Sequence, residues 1–283
     1  MRLTIIAAAL LLGPRATASA ASPYEWSATK RVIEEELVVM DPTVAGKSKW
    51  LLGASLEGWH ISQKVDTVDQ QDNPLSSGRT SGNLSGGGIV IGYSNLTFQY
   101  AHRKGRVTGT TTQSLTNRPF ETRDVGVQTE DEATLRYLFR LDNHFNPYLI
   151  AGYNRISFAE SADITTPNRF YTGGTTHDAT VMIHSSALIG IGLVFAVNRH
   201  FGVRGDGRVL ISSFRYWDST LGAAGGNGTG HGVGSAVTAT AYVNLIQGFN
   251  LQVGGKFQGL PGPSGPTRVR WGSFATLGYS FKF

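Results

Sequence analysis

The 283-residue chain contains 36 glycines, no cysteine, 16% charged residues and a formal net charge of +5. The missing cysteines exclude disulfides, thiolate-bound metals and a thiol nucleophile, and no apolar run reaches the roughly 18 residues that a membrane-spanning helix needs. The small charge excess does not indicate nucleic acid binding, so no nucleic acid partner is expected.

The first 20 residues have the three parts of a secretory signal peptide. Met1-Arg2 is a basic start, residues 3 to 13 are apolar, and Ala18-Ser19-Ala20 is the small-residue pattern of a cleavage site. The alternative is a short buried helix, but the Ala- and Ser-rich end offers little to pack. We therefore predict residues 1–20 to be a signal peptide and the mature chain to start near residue 21.

Residues 21–46 differ from the rest of the chain. Residues 29 to 40 are predicted to form a short helix, because Lys30 and Glu34 stand at helical pair spacing and Asp41-Pro42 ends the pattern. The segment is either a docking segment, a plug for the domain that follows, or a loosely ordered leader.

From residue 47 onward, apolar and polar residues alternate with period two. In residues 268 to 283, Trp271, Leu277 and Phe281 share one face, while Arg270 and Lys282 share the other. Only a β-strand separates residues in this way. Two of the segments have similarly apolar faces, so 8 or 12 strands remain open beside the predicted ten. The predicted strands are 47–63, 84–93, 96–105, 124–139, 147–159, 180–197, 201–216, 234–246, 249–259 and 268–283.

The connections between these segments alternate between short and long. Ser94-Asn95 and Gly248 mark short turns, whereas long polar stretches occur at 64–82, 106–123 and 160–178, among others. An even number of strands with short turns on one side and long loops on the other is typical of a transmembrane β-barrel. We predict an all-β fold over residues 47–283: a closed antiparallel up-and-down barrel with long extracellular loops and short periplasmic turns.

The polar faces of the strands carry charges in nearly every segment. A soluble β-sandwich or lipocalin-like barrel would have to bury these charges in a dry core, at several kcal/mol for each unpaired one. In a membrane barrel they line the lumen and can pair there. The predicted lumen charge network consists of Glu57, Arg103, Glu130, Glu132, Arg136, Arg204, Asp206, Arg208, Lys256, Arg268 and Arg270.

Aromatic residues cluster near both ends of the segments, as they do at the two interfaces of a bilayer. Two aromatic belts are therefore predicted. The belt near the short turns contains Trp50, Tyr137, Phe139 and Phe249, and the belt toward the long loops contains Trp59, Trp217 and Trp271.

The last five residues read Tyr279-Ser280-Phe281-Lys282-Phe283. This alternation with a terminal Phe resembles the C-terminal signature of outer-membrane β-barrel proteins of diderm (Gram-negative) bacteria. The resemblance implies localisation in the outer membrane, surrounded by its lipid and lipopolysaccharide. It also implies that the assembly machinery reads Tyr279, Phe281 and Phe283. The signature covers the final strand alone and identifies no subfamily.

The interior of a ten-strand barrel is narrow enough for side chains to fill it. The first functional hypothesis is therefore a non-enzymatic outer-membrane barrel with a salt-bridged, plugged lumen. Its surface loops would serve envelope structure or ligand and cell-surface interaction, and residues 21–46 would plug the lumen or meet a periplasmic partner. No cofactor is predicted, and the seven histidines show no metal-binding spacing.

Two alternatives stay open. One is a small porin or solute channel. The other is an enzyme, either an omptin-like protease or a lipid A-modifying enzyme, because His184 and Ser186 have the His-x-Ser spacing of lipid A deacylases. No matching acid or flanking pattern accompanies that pair, so no catalytic residue is predicted.

Overall fold

The computed structural model describes residues 41–47, 49–68, 74–113, 120–139, 144–165, 175–198, 200–218, 227–245, 248–261 and 268–283. The predicted signal peptide and the predicted helix over residues 29 to 40 lie outside these ranges. Within them, no helix is long and apolar enough to cross a membrane.

Ten antiparallel strands pair in chain order and close into a barrel, with β1 bonded to β10. This confirms the predicted ten-strand up-and-down architecture. The strands are β1 (Trp50–Val68), β2 (Pro74–Tyr93), β3 (Leu96–Gln113), β4 (Phe120–Leu138), β5 (Phe145–Thr165), β6 (Thr175–Ala196), β7 (Phe201–Asp218), β8 (Asn227–Asn244), β9 (Phe249–Leu260) and β10 (Arg268–Lys282).

The register around the barrel fixes how steeply the strands tilt. A path of paired residues that leaves β1 at Leu51 returns to β1 at Gln63, a stagger of twelve residues. For ten strands this stagger corresponds to a tilt of roughly 40°. Each residue then advances about 2.5 Å along the barrel axis, so ten residues cross the apolar layer.

Several strands are longer than the sequence predicted. β2 begins at Pro74 rather than at residue 84, and β8 begins at Asn227 rather than at residue 234. Much of the sequence predicted as long loops is therefore strand. The segments are rich in Gly, Ser and Thr on both faces, so hydrophobic alternation vanishes, yet their backbones still pair. The hairpins are thus longer than the roughly ten residues that would be needed to cross such an apolar layer.

The two ends of the barrel differ accordingly. At one end, here called the turn end, short connections such as Ser94-Asn95 join the strands, and the chain enters β1 and finishes β10 there. Gly248 has a φ of 88°, which glycine adopts without strain. The opposite end, here called the loop end, carries the five connections that follow β1, β3, β5, β7 and β9.

The outer face of the barrel is largely apolar, and many of its large apolar side chains are exposed. Six of the seven residues predicted for the aromatic belts lie on this face: Trp50, Tyr137, Phe139, Trp217, Phe249 and Trp271. Trp59 does not, because its side chain is 6% exposed and points into the lumen. The prediction for Trp59 was wrong.

Glycines on β2 and β3 shape one wall of the barrel. A Cβ added at Gly82, Gly86, Gly105 or Gly109 would clash with a backbone carbonyl oxygen of the neighbouring strand. At these points the two strands approach more closely than any residue with a side chain permits. Glycine is therefore needed at Gly86, as at the other three positions.

We expect Gly86→Ala to destabilise the barrel, because the new methyl group meets the carbonyl oxygen of His102. The expected loss is about 1–3 kcal/mol, typical of overpacking. Urea unfolding in detergent or lipid, followed by the mobility shift of the folded barrel on gels, measures the effect. Gly207→Ala is the matched control, because a Cβ at Gly207 meets no atom within 4 Å. Equal stability of the two variants would contradict a close strand contact that requires glycine at Gly86.

Candidate functional site

The centre of the lumen is organised around the carboxylate of Glu130 on β4. The side chain is fully buried and contacts cations from three other strands. Lys256 Nζ lies 2.9 Å from Oε1, Arg270 Nη2 lies 2.8 Å from Oε2, and Arg103 Nη1 lies 3.6 Å from Oε1. One acid therefore connects β3, β4, β9 and β10 across the barrel.

A second layer of ion pairs lies toward the turn end. Glu132 accepts hydrogen bonds from Lys256 Nζ at 2.6 Å and Arg208 Nη1 at 2.7 Å. Arg208 also donates to Asp206 at 2.5 Å, and Tyr148 donates its hydroxyl to the same acid at 2.9 Å. The ion pairs therefore run continuously from β4 to β7 and β9.

The structure places all the charges named from the sequence inside the barrel. Of those outside the two layers above, Glu57 pairs with Arg103 at 2.5 Å. Arg268 lies 3.4 Å from Glu160, an acid that the sequence analysis did not name. Arg136 and Arg204 contact the segment that precedes β1.

Trp59 belongs to this interior. Its ring stacks on Phe274 with centroids 4.8 Å apart, and the Arg103 guanidinium lies 4.5 Å from its centroid. The indole nitrogen donates to Glu57 at 3.3 Å. The physical reason for the wrong prediction is the period of the strand: Glu57 points inward, and Trp59 stands two residues away on the same face.

Residues 41–45 lie inside the barrel at its turn end, and we call them the plug segment. Arg204 Nη1 donates to Asp41 at 3.0 Å, and Lys282 Nζ donates to the Asp41 carbonyl at 3.0 Å. Arg136 donates to the Thr43 hydroxyl at 3.1 Å, and Thr97 donates to its carbonyl at 3.0 Å. The segment is thus bonded to β3, β4, β7 and β10.

The charge state of Asp41 follows from these contacts. Burial alone would raise the pKa of this carboxyl, but the guanidinium groups of Arg204 and Arg136 and two hydrogen bonds from Thr43 outweigh burial. The pKa of Asp41 therefore lies below its ordinary value of 3.8, and the group is a carboxylate at neutral pH.

Little free space remains between the plug segment and the ion pairs. The cavity there has a volume of about 90 Å³ and is lined by polar side chains that include Thr43, Arg136, Asp206, Arg208 and Gln252. A space of this size and polarity holds a few water molecules.

The pair His184 and Ser186 lies in the lumen toward the loop end, and both side chains are fully buried. His184 Nε2 lies 3.0 Å from the Met182 sulfur, and its ring contacts Phe158 and Phe214. The Ser186 hydroxyl forms a hydrogen bond with the Ser212 hydroxyl rather than with His184, at 2.7 Å. Among the described residues no acid is bonded to His184, and its Nδ1 has no partner.

Some residues at these sites were missed from the sequence. Asp41 was recognised as the end of a helix but not as a lumen ligand, and no local pattern indicates which arginine it meets. Asp131 and His102 lie on the outer face, where they contact each other at 2.7 Å. The alternation of side chains along a strand could have located them, because Glu130 and Arg103 point inward and their chain neighbours must point outward.

No known protein family and no curated protein matches the sequence. Among solved structures, the chain resembles the outer membrane protease OmpT from Escherichia coli with a TM-score of 0.62 and 10% identity over 83% of this chain and 97% of that one. The translocator domain of autotransporter NalP from Neisseria meningitidis matches with a TM-score of 0.44 and 11% identity over 91% and 96% of the two chains.

A further match is the transport unit of the autotransporter AIDA-I from Escherichia coli, with a TM-score of 0.45 and 13% identity over 90% of this chain and 97% of that one. The two autotransporter matches are looser, so the fold assignment rests on the match to the protease and on the closed barrel itself. The chain therefore shares the closed antiparallel β-barrel fold of that outer membrane protease, and the sequence had predicted such a barrel.

We expect Glu130→Ala to destabilise the barrel by about 3–5 kcal/mol, because it leaves buried cations without a counter-charge. Denaturant unfolding in detergent, followed by tryptophan fluorescence, measures the loss. Asp66→Ala is the control: its pair with Lys64 is at least 38% exposed on each side and should contribute less than about 1 kcal/mol. If both variants lose the same stability, Glu130 is not the centre of the network.

We expect Asp41→Asn to loosen the plug segment, because it removes the carboxylate that faces Arg204 and Arg136. Since the chain has no cysteine, Val44→Cys reports the change through its rate of maleimide labelling. Val44 is 5% exposed, so labelling should be slow at neutral pH and at least tenfold faster with Asp41→Asn. Lys47→Cys is the control, because Lys47 is already exposed.

The same label gives a pH dependence. The docked Asp41 has a lowered pKa, so its contribution to docking is complete above the undocked value near 3.8 and is lost as the pH falls through the lower, docked value. The Val44→Cys protein is given a brief acid pulse and returned to neutral pH in the presence of maleimide, and the extent of labelling at residue 44 is then measured. Fast labelling of Val44→Cys without any pulse would contradict a docked segment.

Proposed function

We propose that the protein is a non-enzymatic outer-membrane barrel whose lumen is sealed, so that its function resides in its surface. In this proposal the turn end faces the periplasm and the long hairpins of the loop end face the outside of the cell. The hairpins then serve envelope structure or contact ligands and other cells. Lipid and lipopolysaccharide are the surroundings of the outer face.

The observation that carries the proposal is the double obstruction of the lumen. The plug segment fills the turn end through Asp41 and Thr43, and the ion pairs of Glu130 and Glu132 span the middle. Lys256 bridges the two acids from the opposite wall. A hydrated ion passing through the lumen would have to displace both the plug segment and the ion pairs.

The porin hypothesis is less well supported by this interior. A channel through a ten-strand barrel would need a continuous path of water in an interior that side chains can otherwise fill. Here Arg103, Arg208 and Arg270 instead reach acids on other strands at 3.6 Å or less. The charges are used for mutual pairing, which favours a filled lumen.

The enzyme hypothesis lacks an assembled catalytic group among the described residues. His184 and Ser186 are bonded to Met182 and Ser212 rather than to each other. The described residues also contain no cluster of three or more His, Asp or Glu side chains that could hold a metal ion. The similarity to a protease concerns the fold, at 10% identity.

The C-terminal strand supports the proposed assembly route. Tyr279, Phe281 and Phe283 are exposed on the outer face, and β10 is one of the two strands that close the barrel. We propose that the assembly machinery reads these three side chains before β10 pairs with β1.

Planar bilayer recordings test the sealed lumen. The protein lacking residues 1–20 should insert without a steady open state. Deletion of residues 21–46 alone should also stay closed, because the ion pairs remain. The same deletion combined with Glu130→Ala and Lys256→Ala should produce measurable current, since both obstructions are then removed.

A reproducible open state of the protein lacking only residues 1–20 would overturn the sealed-lumen proposal in favour of a channel. Incubation with basic peptides and with lipid A tests the non-enzymatic part. Turnover that disappears in His184→Ala would show an enzyme instead.

A further inference from the structure

One wall of the barrel carries a cluster of charges on its outer face. His102, Lys104 and Arg106 alternate along β3 and point outward, and Arg155 points outward from β5. Asp131 on β4 pairs in register with both His102 and Arg155. We call this group the outer basic cluster.

Internal contacts fix the acid of the cluster. The Tyr100 hydroxyl donates to Asp131 Oδ1 at 2.8 Å, and His102 Nδ1 lies 2.7 Å from the same oxygen. Among the described residues, Lys104 and Arg106 form no ion pair with an acid, and Arg155 interacts with Asp131 only at longer range. All three side chains are exposed, so they can face an anion from outside.

The height of the cluster matches a membrane interface. Phe145 lies on the outer face near the turn end, and Arg155 follows it on β5 after ten residues. At roughly 2.5 Å per residue this separates the two by about 25 Å, the height of the apolar band of such barrels. With the loop end outside the cell, the orientation on which this inference rests from the proposed function, the cluster lies where lipid headgroups of the outer leaflet begin.

The charge is confined to one side of the barrel. Among described side chains, Arg215 is the one Lys or Arg that points outward from β6 to β10. At the height of the cluster that wall exposes Phe257 and Trp271 instead. The outward Lys and Arg residues of β1 to β5 are Lys64, Arg79, Lys104, Arg106, Arg123 and Arg155.

The surface next to the cluster suits acyl chains. In the adjacent row toward the turn end, Ala133 pairs with Tyr100 on one side and with Tyr153 on the other. Ala133 is the smaller side chain between these two exposed tyrosines and lies next to the row of Asp131. Leu135, also exposed, follows on the same face toward the turn end.

We propose that Lys104, Arg106 and Arg155 bind the phosphates of an outer-leaflet glycolipid headgroup, with its acyl chains against Ala133 and Leu135. Lys and Arg are the side chains that hold phosphate most strongly, Arg through two parallel hydrogen bonds. Of the partners expected from the sequence, lipopolysaccharide has this chemistry. The site is on the outer face and does not depend on the sealed lumen.

Native mass spectrometry of the folded protein in detergent tests the proposal with bisphosphorylated lipid A as the probe. The triple variant Lys104→Ala, Arg106→Ala, Arg155→Ala should bind it at least tenfold more weakly than the parent protein. Lys47→Ala, Lys49→Ala, Arg215→Ala is the control, because it removes the same charge from exposed sites elsewhere. The gel mobility shift establishes that each variant is folded.

Two further arms identify the ligand. Phosphate-free lipid A should bind the parent protein and the triple variant equally, and millimolar inorganic phosphate should not displace bisphosphorylated lipid A. Equal binding of bisphosphorylated lipid A by the triple variant and the control would overturn the proposal. So would full displacement by inorganic phosphate, which would indicate a site for free phosphate. Each outcome is independent of whether the lumen conducts.

Discussion

The described charges that point into the barrel have to find partners inside its lumen, and the cavity beside the plug segment has room for only a few waters. This constraint explains why Glu130 meets cations from three strands and why Lys256 is shared between two acids. An unpaired charge in such a place costs several kcal/mol, and a paired one joins distant strands. The ion pairs therefore fill the barrel and connect its walls at the same time.

The same constraint reaches the segment before β1. Arg136 and Arg204 lie toward the turn end of the described ion pairs, and Asp41 supplies the carboxylate that Arg204 binds. Without the plug segment, this part of the lumen would hold two close guanidinium groups with less opposite charge. The plug segment thus contributes to the electrostatic balance of the barrel as well as filling its turn end. This contribution explains why the segment is held inside the barrel.

Much of the fold could be predicted because successive side chains of a strand must point to opposite faces. In β10 this alternation separates Trp271 and Phe281 from Arg270 and Lys282, and the structure keeps that division. The same rule would have placed Trp59 on the inward face with Glu57, and Asp131 on the outward face, away from Glu130. Which charged residues contact each other could not be predicted in this way. The contact of Asp41 with Arg204 spans 163 residues and depends on the stagger of the closed barrel, which no local pattern contains.

The proposal of a sealed lumen places the function on the outer surface of the barrel, and the two sides of that surface are unequal. From β6 to β10 the outer face is apolar up to Phe257 and Trp271, whereas on β3 and β5 charges replace apolar side chains at a comparable height. Charged side chains facing hydrocarbon are costly and become tolerable near the interface. Their concentration on one wall means that the outer surface of the barrel has two different sides. A lipid or protein neighbour that carries phosphate or carboxylate groups would therefore select one of them.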